Sequence, residues 1–148
     1  MLNLAKVEVM MNSETLTKQD VVEFLRSANV NPTSQRVEVA YALFSAAAHL
    51  SADEIMQRVN AEYPVVSKAT VYNTLGLLAQ QGLIREVIVE PGKVFYDPNT
   101  SAHHHFYDVE SGRLEDIPAH SLALPDLPPL PAGVVVERVD VVIRVRRE

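Results

Sequence analysis

The order of its predicted elements is the feature that most limits what this chain can fold into. Up to Gly82 the apolar residues recur at helical spacing, in four segments that each begin at a Ser or Thr able to cap a helix. After Gly82, two short β-branched segments flank a Pro91-Gly92 turn. Helices that end in a helix–turn–helix pair and continue into a β-hairpin make a winged helix. The helical segments begin near Thr17, Thr33 or Ser34, Ser51 and Ser67, and the hairpin strands cover 84–90 and 93–96.

The second part of the chain begins after a polar stretch. Residues 97–102 have turn chemistry and predict a linker, and a second hairpin is predicted around Ser111-Gly112. Residues 118–133 hold five of the nine prolines and predict an ordered loop or an extended crossing segment, not a helix. Residues 134–147 predict a long strand. A hairpin and one strand give about 50 residues too little core to stand alone, so we expect a homodimer.

These features predict an α+β chain of two domains. We expect a winged-helix DNA-binding domain with its N-terminal helix at residues 1–96, a linker at 97–102, and a small C-terminal α/β dimerisation domain at 103–148. The first eleven residues lack the basic flank and the apolar stretch of a signal peptide, and no segment reads as a membrane span. The expected location is therefore cytoplasmic.

Composition excludes several kinds of site. The chain contains no cysteine, which rules out disulfides, thiolate zinc sites, iron–sulfur clusters and cysteine nucleophiles. A metal ion would need His, Asp, Glu or water as ligands. The net charge of −6 argues against indiscriminate binding to nucleic acid, because phosphates attract positive surfaces. The acidic excess lies mostly beyond residue 96, so a local basic face in the first part stays open.

The segment that opens the fourth helix, residues 67–74, is the candidate DNA reader. A recognition helix contacts the major groove with side chains of its first turns. Asn73 can pair with adenine, and Tyr72 can contact a thymine methyl group or a phosphate. An ordinary capped amphipathic helix would look the same, and the hairpin directly after it favours DNA. The predicted DNA-contacting set is Lys18, Arg36, Ser67, Lys68, Thr70, Tyr72 and Asn73.

Three consecutive histidines follow the predicted linker. In a strand alternate side chains share a face, so His103 and His105 point one way and His104 the other. Two imidazoles on one face are half of a site for Zn, Mn or Fe. The alternatives are a solvated polar run or an expression tag, and the internal position of the triplet disfavours a tag. The carboxylates close in sequence are Asp97, Glu115 and Asp116.

Four short motifs stand in a fixed order along the chain: Pro32-Thr-Ser-Gln-Arg36, His49-Leu-Ser-Ala-Asp-Glu54, Ala69-Thr-Val-Tyr72 and His103-His-His105. Over roughly residues 17–117 their order and spacing resemble those of the ferric uptake regulator family. The resemblance implies a dimeric DNA-binding regulator that responds to a divalent ion, Fe, Mn or Zn. It also implies that the ion bridges the two domains and couples metal binding to DNA-binding geometry. The matching ligands are His49, Asp97, His103, His105 and Asp116, or Glu115 in place of Asp116 if the register slips by one.

The chain departs from that family at its other metal sites. Most members hold a structural zinc with Cys-x-x-Cys pairs, and the matching stretch from Asp108 to Ser111 has none, so a structural zinc site is not expected. A secondary site that many members carry matches poorly here. A reduced second site for a metal ion or haem would consist of His104, His120 and Asp140.

Within the family, the chain most resembles the iron response regulator branch. The resemblance is carried by the lack of cysteine, by the His triplet before Phe106-Tyr107, and by the ending Val141-Val-Ile-Arg-Val145. It implies control of haem synthesis and iron uptake, with haem as an effector at the triplet. The five ligands also resemble those of the peroxide-sensing branch, in which bound Fe(II) reacts with peroxide and a histidine ligand is oxidised.

Two other function classes account for less of the sequence. A mononuclear metallohydrolase would need open coordination and a general base, and a passive metal store would not need a winged helix. We therefore predict that the chain is not an enzyme. The prediction is a metal- or haem-responsive repressor of iron and haem homeostasis that binds a double-stranded DNA operator as a homodimer and does not bind membranes. Peroxide sensing is the alternative.

Overall fold

The computed structural model describes residues 16–46 and 49–148, and the chain separates into two compact units, residues 1–100 and 101–148. The unit boundary falls within the predicted linker, whereas the roles assigned to the two parts stay predictions. The expectation about the first eleven residues lies outside the described residues. No helix in the described ranges is long and apolar enough to cross a membrane.

The described residues of the first unit contain four helices, and each begins at a capping side chain. Where the sequence left two candidates, Thr33 is the cap of the second helix. Reciprocal capping boxes join Thr17 to Asp20 and, as predicted, Ser51 to Glu54. These bonds satisfy amides of the first turn that have no partner within the helix. The helices are α1 (Lys18–Ser27), α2 (Ser34–Phe44), α3 (Ala52–Val59) and α4 (Lys68–Gln80).

One apolar cluster joins these helices to the hairpin that follows them. Leu43, Ile55 and Leu75 come from three different helices and are completely buried in it. The rings of Phe24 and Phe44 meet edge to face with centroids 5.2 Å apart. A set of buried side chains this size fixes the helices relative to one another within the first unit.

The hairpin consists of β1 (Arg85–Glu90) and β2 (Lys93–Asp97), which pair antiparallel as predicted. Gly92 adopts φ +78° in the turn, a left-handed conformation that favours glycine. The register places Arg85 opposite Asp97. The amide of Tyr96 also donates a 2.8 Å hydrogen bond to the carbonyl of Leu50, so the chain just before α3 is fixed to the end of β2.

The second unit contains one three-stranded sheet, and its middle strand is the one that carries the histidine triplet. Strand β3 (His103–Asp108) pairs antiparallel with β4 (Leu114–Pro118), which confirms the second hairpin, and parallel with β5 (Val142–Val145). The proline-rich segment is mostly exposed, and its residues 122–133 form neither helix nor strand, as predicted. Within residues 101–148 the helical content is limited to one 3-10 turn, Ala119–Ser121. The mixed helix-and-strand fold class is confirmed.

The long final strand predicted over 134–147 is wrong for most of its length. Only Val142–Val145 pairs, and Val135 is 84% exposed. A β-branched run becomes a strand only where a neighbouring strand satisfies its amides and carbonyls. Among the described residues, β3 pairs with four residues of the run, and Val141 adds one further backbone bond, which its carbonyl accepts from the amide of His105.

We expect truncation of the helical core to be costly. Leu75→Ala should lower the free energy of unfolding by about 2–5 kcal/mol, because the methyl groups it removes are fully buried and leave a cavity. Leu77→Ala is the matched control on the same helix, where the side chain is only partly buried, and it should cost about 1 kcal/mol or less. Urea denaturation followed by circular dichroism measures both, and equal losses would contradict this assignment of the core.

Candidate metal centre

A histidine and a carboxylate lie side by side in the first unit. His49 Nε2 is 3.1 Å from Asp97 Oδ2, and the two side chains are 12% and 3% exposed. Their proximity follows from the backbone. Because Leu50 and Tyr96 form an antiparallel bridge, the residues one step outward, His49 and Asp97, are also neighbours.

The carboxylate of Asp97 is held in one orientation. Its Oδ1 atom accepts a 2.9 Å hydrogen bond from the amide of Asn99, which is the local turn that Asp side chains form with the backbone two residues on. Its Oδ2 atom faces His49. Both oxygens are therefore placed by neighbours within the first unit, and the pair offers one nitrogen and one oxygen to a cation.

Three further candidate ligands converge in the second unit. The register of the hairpin sets His105 opposite Asp116, and alternation along β3 brings His103 to the same side. Asp116 Oδ1 lies 3.5 Å from His103 Nε2 and 3.3 Å from His105 Nε2. Glu115, the alternative acid, is instead opposite Phe106 and lies 3.7 Å from the guanidinium of Arg113.

The hydrogen bonds of these side chains favour a cation among them. His103 Nδ1 lies 2.7 Å from the carbonyl oxygen of Ser101, which can only accept, so Nδ1 is the donor in that contact. The other ring nitrogen, Nε2, faces the carboxylate of Asp116, and a cation between the two would offset the charge of that carboxylate. One ligand atom from each of His103, His105 and Asp116 lies within 4.8 Å of the others. Two imidazoles and one carboxylate suit Fe(II), Mn(II) or Zn(II).

The predicted DNA-contacting residues fall into two groups. Ser67 caps α4, and its hydroxyl lies 3.0 Å from that of Thr70. Tyr72 is 46% exposed, Asn73 is exposed, and Lys68 Nζ lies 5.9 Å from the centroid of the Tyr72 ring. The start of α4 thus carries an exposed face of hydroxyl, amide, aromatic and basic groups.

The other two residues of the predicted set lie on different helices. Lys18 on α1 makes a 2.7 Å ion pair with Glu38, and the hydrogen bond within this pair raises the pKa of Lys18 above its usual value. Arg36 on α2 donates a 3.1 Å hydrogen bond to the carbonyl of Asn31. Both side chains therefore have partners within the protein, as does Lys68 on α4, whose Nζ lies 3.9 Å from Asp53 Oδ1.

Comparison with known proteins decides the family. The sequence pattern of the ferric uptake regulator family matches residues 27–125, well over half of the chain. The chain belongs to the ferric uptake regulator family. This match confirms the family assignment that was drawn from the four motifs. Members of the family are metal-responsive transcription regulators and not enzymes.

Individual relatives fall in more than one branch of the ferric uptake regulator family. The peroxide-responsive repressor PerR of Staphylococcus aureus is 32% identical over 98 residues, and the alignment spans 66% of this chain and 66% of that repressor. The peroxide stress regulator of Campylobacter jejuni is 26% identical, with a TM-score of 0.58 over 87% of this chain and 94% of that one. The ferric uptake regulator of Pseudomonas aeruginosa, solved with manganese, is 22% identical, with a TM-score of 0.63 over 85% and 96%.

The reduced second site predicted for this member of the ferric uptake regulator family is not assembled. His104 Nδ1 accepts a 3.2 Å hydrogen bond from the amide of Val141, and Asp140 makes a 2.7 Å contact with Arg138. His120 is exposed in the 3-10 turn. Among the residues that the structure describes, these three side chains do not belong to any cluster of potential ligands. Two of them already have partners, and the third lies in a separate turn.

One charged residue that lies beside a candidate ligand was not predicted from the sequence. Arg85 is only 6% exposed and lies directly opposite Asp97 in the β1–β2 register. The alternation of β1 carried a signal, because Arg85 occupies the same face as Val87 and Val89, which are buried. A charged residue at an inward position of a strand calls for a partner of opposite charge.

Asp116 should be a ligand and Glu115 should not. Asp116→Asn should weaken Mn(II) binding by at least about tenfold, because even residues that only orient a ligand change metal affinity by about 10–100-fold. Glu115→Gln removes the same charge one position away and should leave the affinity close to that of the unchanged protein. Titration calorimetry with Mn(II) measures both variants. The reverse order of effects would assign the ligand to Glu115.

Proposed function

We propose that this chain is a dimeric, metal-responsive repressor that binds double-stranded DNA. We further propose that His49 and Asp97 share one divalent ion with His103, His105 and Asp116. The observation that carries the proposal is the convergence of two histidine nitrogens on one carboxylate oxygen of Asp116, at 3.5 and 3.3 Å. Membership of the ferric uptake regulator family supports the rest.

Sharing the ion would make the site a switch. The first unit offers two candidate ligands and the second offers three, so neither unit supplies more than three ligands alone. A bound divalent ion would accept an electron pair from each of the five ligands and so offset the repulsion between them. The ion would therefore bind most tightly in the relative arrangement of the units that brings all five together, and it would favour that arrangement by the difference in affinity. If DNA binding needs the same arrangement, metal and DNA promote each other's binding.

The exposed face of α4 supports a role in reading DNA. Lys68 and Thr70 suit phosphate oxygens, while Tyr72 and Asn73 can reach base edges in the major groove. The hairpin β1–β2 follows α4 directly, as in a winged helix. Two copies related by a two-fold axis would read an A·T-rich, roughly palindromic operator.

The apolar surface of the second unit supports dimerisation. Val134, Val135 and Val136 are each at least 46% exposed, and β5 occupies one edge of the three-stranded sheet. An exposed apolar run beside a sheet edge is a surface that a second copy can cover. Both features lie in the unit for which the sequence predicted dimerisation.

Peroxide is the effector that the comparisons favour. The Staphylococcus aureus relative is described as peroxide-responsive, and two histidines with one carboxylate form the set used by non-haem Fe(II) sites. In the proposed reaction, hydrogen peroxide is reduced to water while one of its oxygen atoms is transferred to an imidazole ligand. Loss of that ligand would lower metal affinity and release DNA.

Haem is the second candidate effector, suggested by the cysteine-free His triplet. His103, His104 and His105 are each at most 7% exposed, and Nδ1 of His104 already accepts the Val141 amide. An axial bond from haem to any of these imidazoles would require the strand to change conformation. We therefore rank control of iron and haem homeostasis second, after peroxide sensing, among the proposed functions.

DNA binding should depend on the metal. Protein treated with chelator should bind its operator weakly, and Mn(II) or anaerobic Fe(II) should restore binding. Peroxide should release the Fe(II) form and add one oxygen atom to a peptide that contains His49, His103 or His105, while the Mn(II) form should be insensitive. Fluorescence anisotropy and peptide mass spectrometry measure the two effects. Full DNA binding by the metal-free protein would sink the proposal, and release by haem alone would favour the second candidate.

Tyr72 should contribute to recognition of the operator. Tyr72→Ala should weaken specific binding by about 1–3 kcal/mol if the ring contacts a base, with little effect on binding to unrelated DNA. Gln80→Ala is the matched control, since Gln80 is exposed at the far end of the same helix. Anaerobic anisotropy titrations on operator and scrambled duplexes supply the comparison. Unchanged operator affinity in Tyr72→Ala would remove this residue from the interface.

A further inference from the structure

Residues 124–132 repeat a three-residue pattern. They read Leu-Pro-Asp, Leu-Pro-Pro and Leu-Pro-Ala, so leucine returns at every third position, as Leu124, Leu127 and Leu130. These three side chains are 44%, 55% and 47% exposed. Single exposed apolar side chains are ordinary, but a regular row of them marks a contact surface.

The prolines restrict the backbone of this segment. A proline fixes its own φ at about −65°, and the residue before a proline is confined to extended or polyproline II angles. One restriction or the other applies to every residue from Leu124 to Pro131 except Asp126. A polyproline II helix has three residues per turn and rises about 3.1 Å per residue. This conformation puts the three leucines along one edge, the leucine ridge, at intervals of about 9 Å.

The three-stranded sheet has one apolar face that is only partly covered. The pairing of β3 with β5 sets Phe106 beside Ile143, and alternation along β5 brings Val145 to the same side. Phe106 and Val145 are 39% and 37% exposed, whereas His104 and Ile117 on the same face are buried. The face is therefore closed at one end and open at the other. It points away from the candidate ligands, because successive residues of β3 alternate between the two sides.

We propose that the leucine ridge of one copy packs against this open face in a second copy, which returns the same contact. Both surfaces stay exposed within the second unit of a single chain, so that unit does not bury them by itself. A two-fold dimer makes the contact twice, because each copy presents both surfaces. The inference rests on the proposed function, since it names the surfaces through which the proposed dimer would form.

The distribution of charge favours the ridge as the occupant of the open face. Residues 142–148, which continue from that face, carry three arginines and one glutamate. If the ends of two β5 strands met, the arginines of both copies would be brought together and would repel each other. From residue 118 to 136 the chain has no Lys or Arg, and Asp126 is its one acidic residue. The ridge therefore brings an apolar edge and a negative charge to a surface that is apolar and bordered by positive charge.

The chain has no cysteine of its own, so introduced cysteines can report the contact by cross-linking. A full chain with Leu127→Cys and a mass-tagged full chain with Phe106→Cys are produced in the same cells and oxidised. We expect a disulfide between the two different chains, because this bond needs Cβ atoms about 3.5–4.5 Å apart. Ala132→Cys takes the place of Leu127→Cys in the control. It is exposed in the same segment but lies off the ridge, and it should give little cross-linked product.

Sedimentation of the full chain with Mn(II) gives a second readout. Leu127→Asp should raise the dissociation constant of the dimer by at least about tenfold, because it places a charge inside an apolar contact. Ala132→Asp adds the same charge off the ridge and should leave the dissociation constant near its original value. If Leu127→Asp does not fold, the cross-linking result decides.

The two readouts separate failure of the inference from failure of the proposed function. If the protein is a dimer and the ridge variants behave like their controls, the inference is overturned and the proposed dimer stands. Cross-linking that occurs only when both cysteines are in one chain means that the ridge packs on its own sheet, which also overturns the inference. If the unchanged protein with Mn(II) sediments as a monomer, the proposed dimeric function fails together with the inference.

Discussion

One backbone hydrogen bond, from the amide of Tyr96 to the carbonyl of Leu50, determines much of the first unit's chemistry. It joins the chain before α3 to the end of β2, although the two residues are far apart in sequence. Tyr96 also belongs to the helical core, so the bridge is anchored by apolar packing. His49 and Asp97 meet because they flank this bridge. His49 and Asp97 are thus brought together by the way the β1–β2 hairpin attaches to the helices.

The second unit places its ligands by strand register. His105 opposes Asp116, and the same register sends Glu115 toward Phe106. A slip of one residue would exchange the two acids, because successive side chains of a strand point to opposite faces. The turn at Gly112, with φ +74°, and the hydrogen bonds that the amides of Glu110 and Ser111 donate to Asp108 fix that register locally. Those amides also hold the pKa of Asp108 below its usual value.

Helix caps and turns could be predicted from the sequence, because they depend on neighbouring residues. Strand pairing between distant segments was harder to predict. The capping box at Ser51 and the Pro91-Gly92 turn each depend on neighbouring residues, and both are present in the structure. The choice between Asp116 and Glu115 stayed open until the register was known. Arg85 was missed because its burial and its position opposite Asp97 depend on the pairing of β1 with β2. Residues 134–141 looked like a strand because composition records β propensity and not the presence of a partner edge.

Because the chain has no cysteine, a structural zinc site held by thiolates cannot stabilise the second unit. Tyr107 and Ile117 are the buried apolar side chains of the second unit, and a core this small contributes little stability. No thiolate zinc site can compensate, because the chain has no cysteine. Dimerisation as proposed would add stability by burying the exposed valines of residues 134–139, because a second copy offers the same surface in return. If the proposed dimer forms, folding of the second unit would depend on association and not on metal, which would leave an ion bound at the histidines to act as a signal.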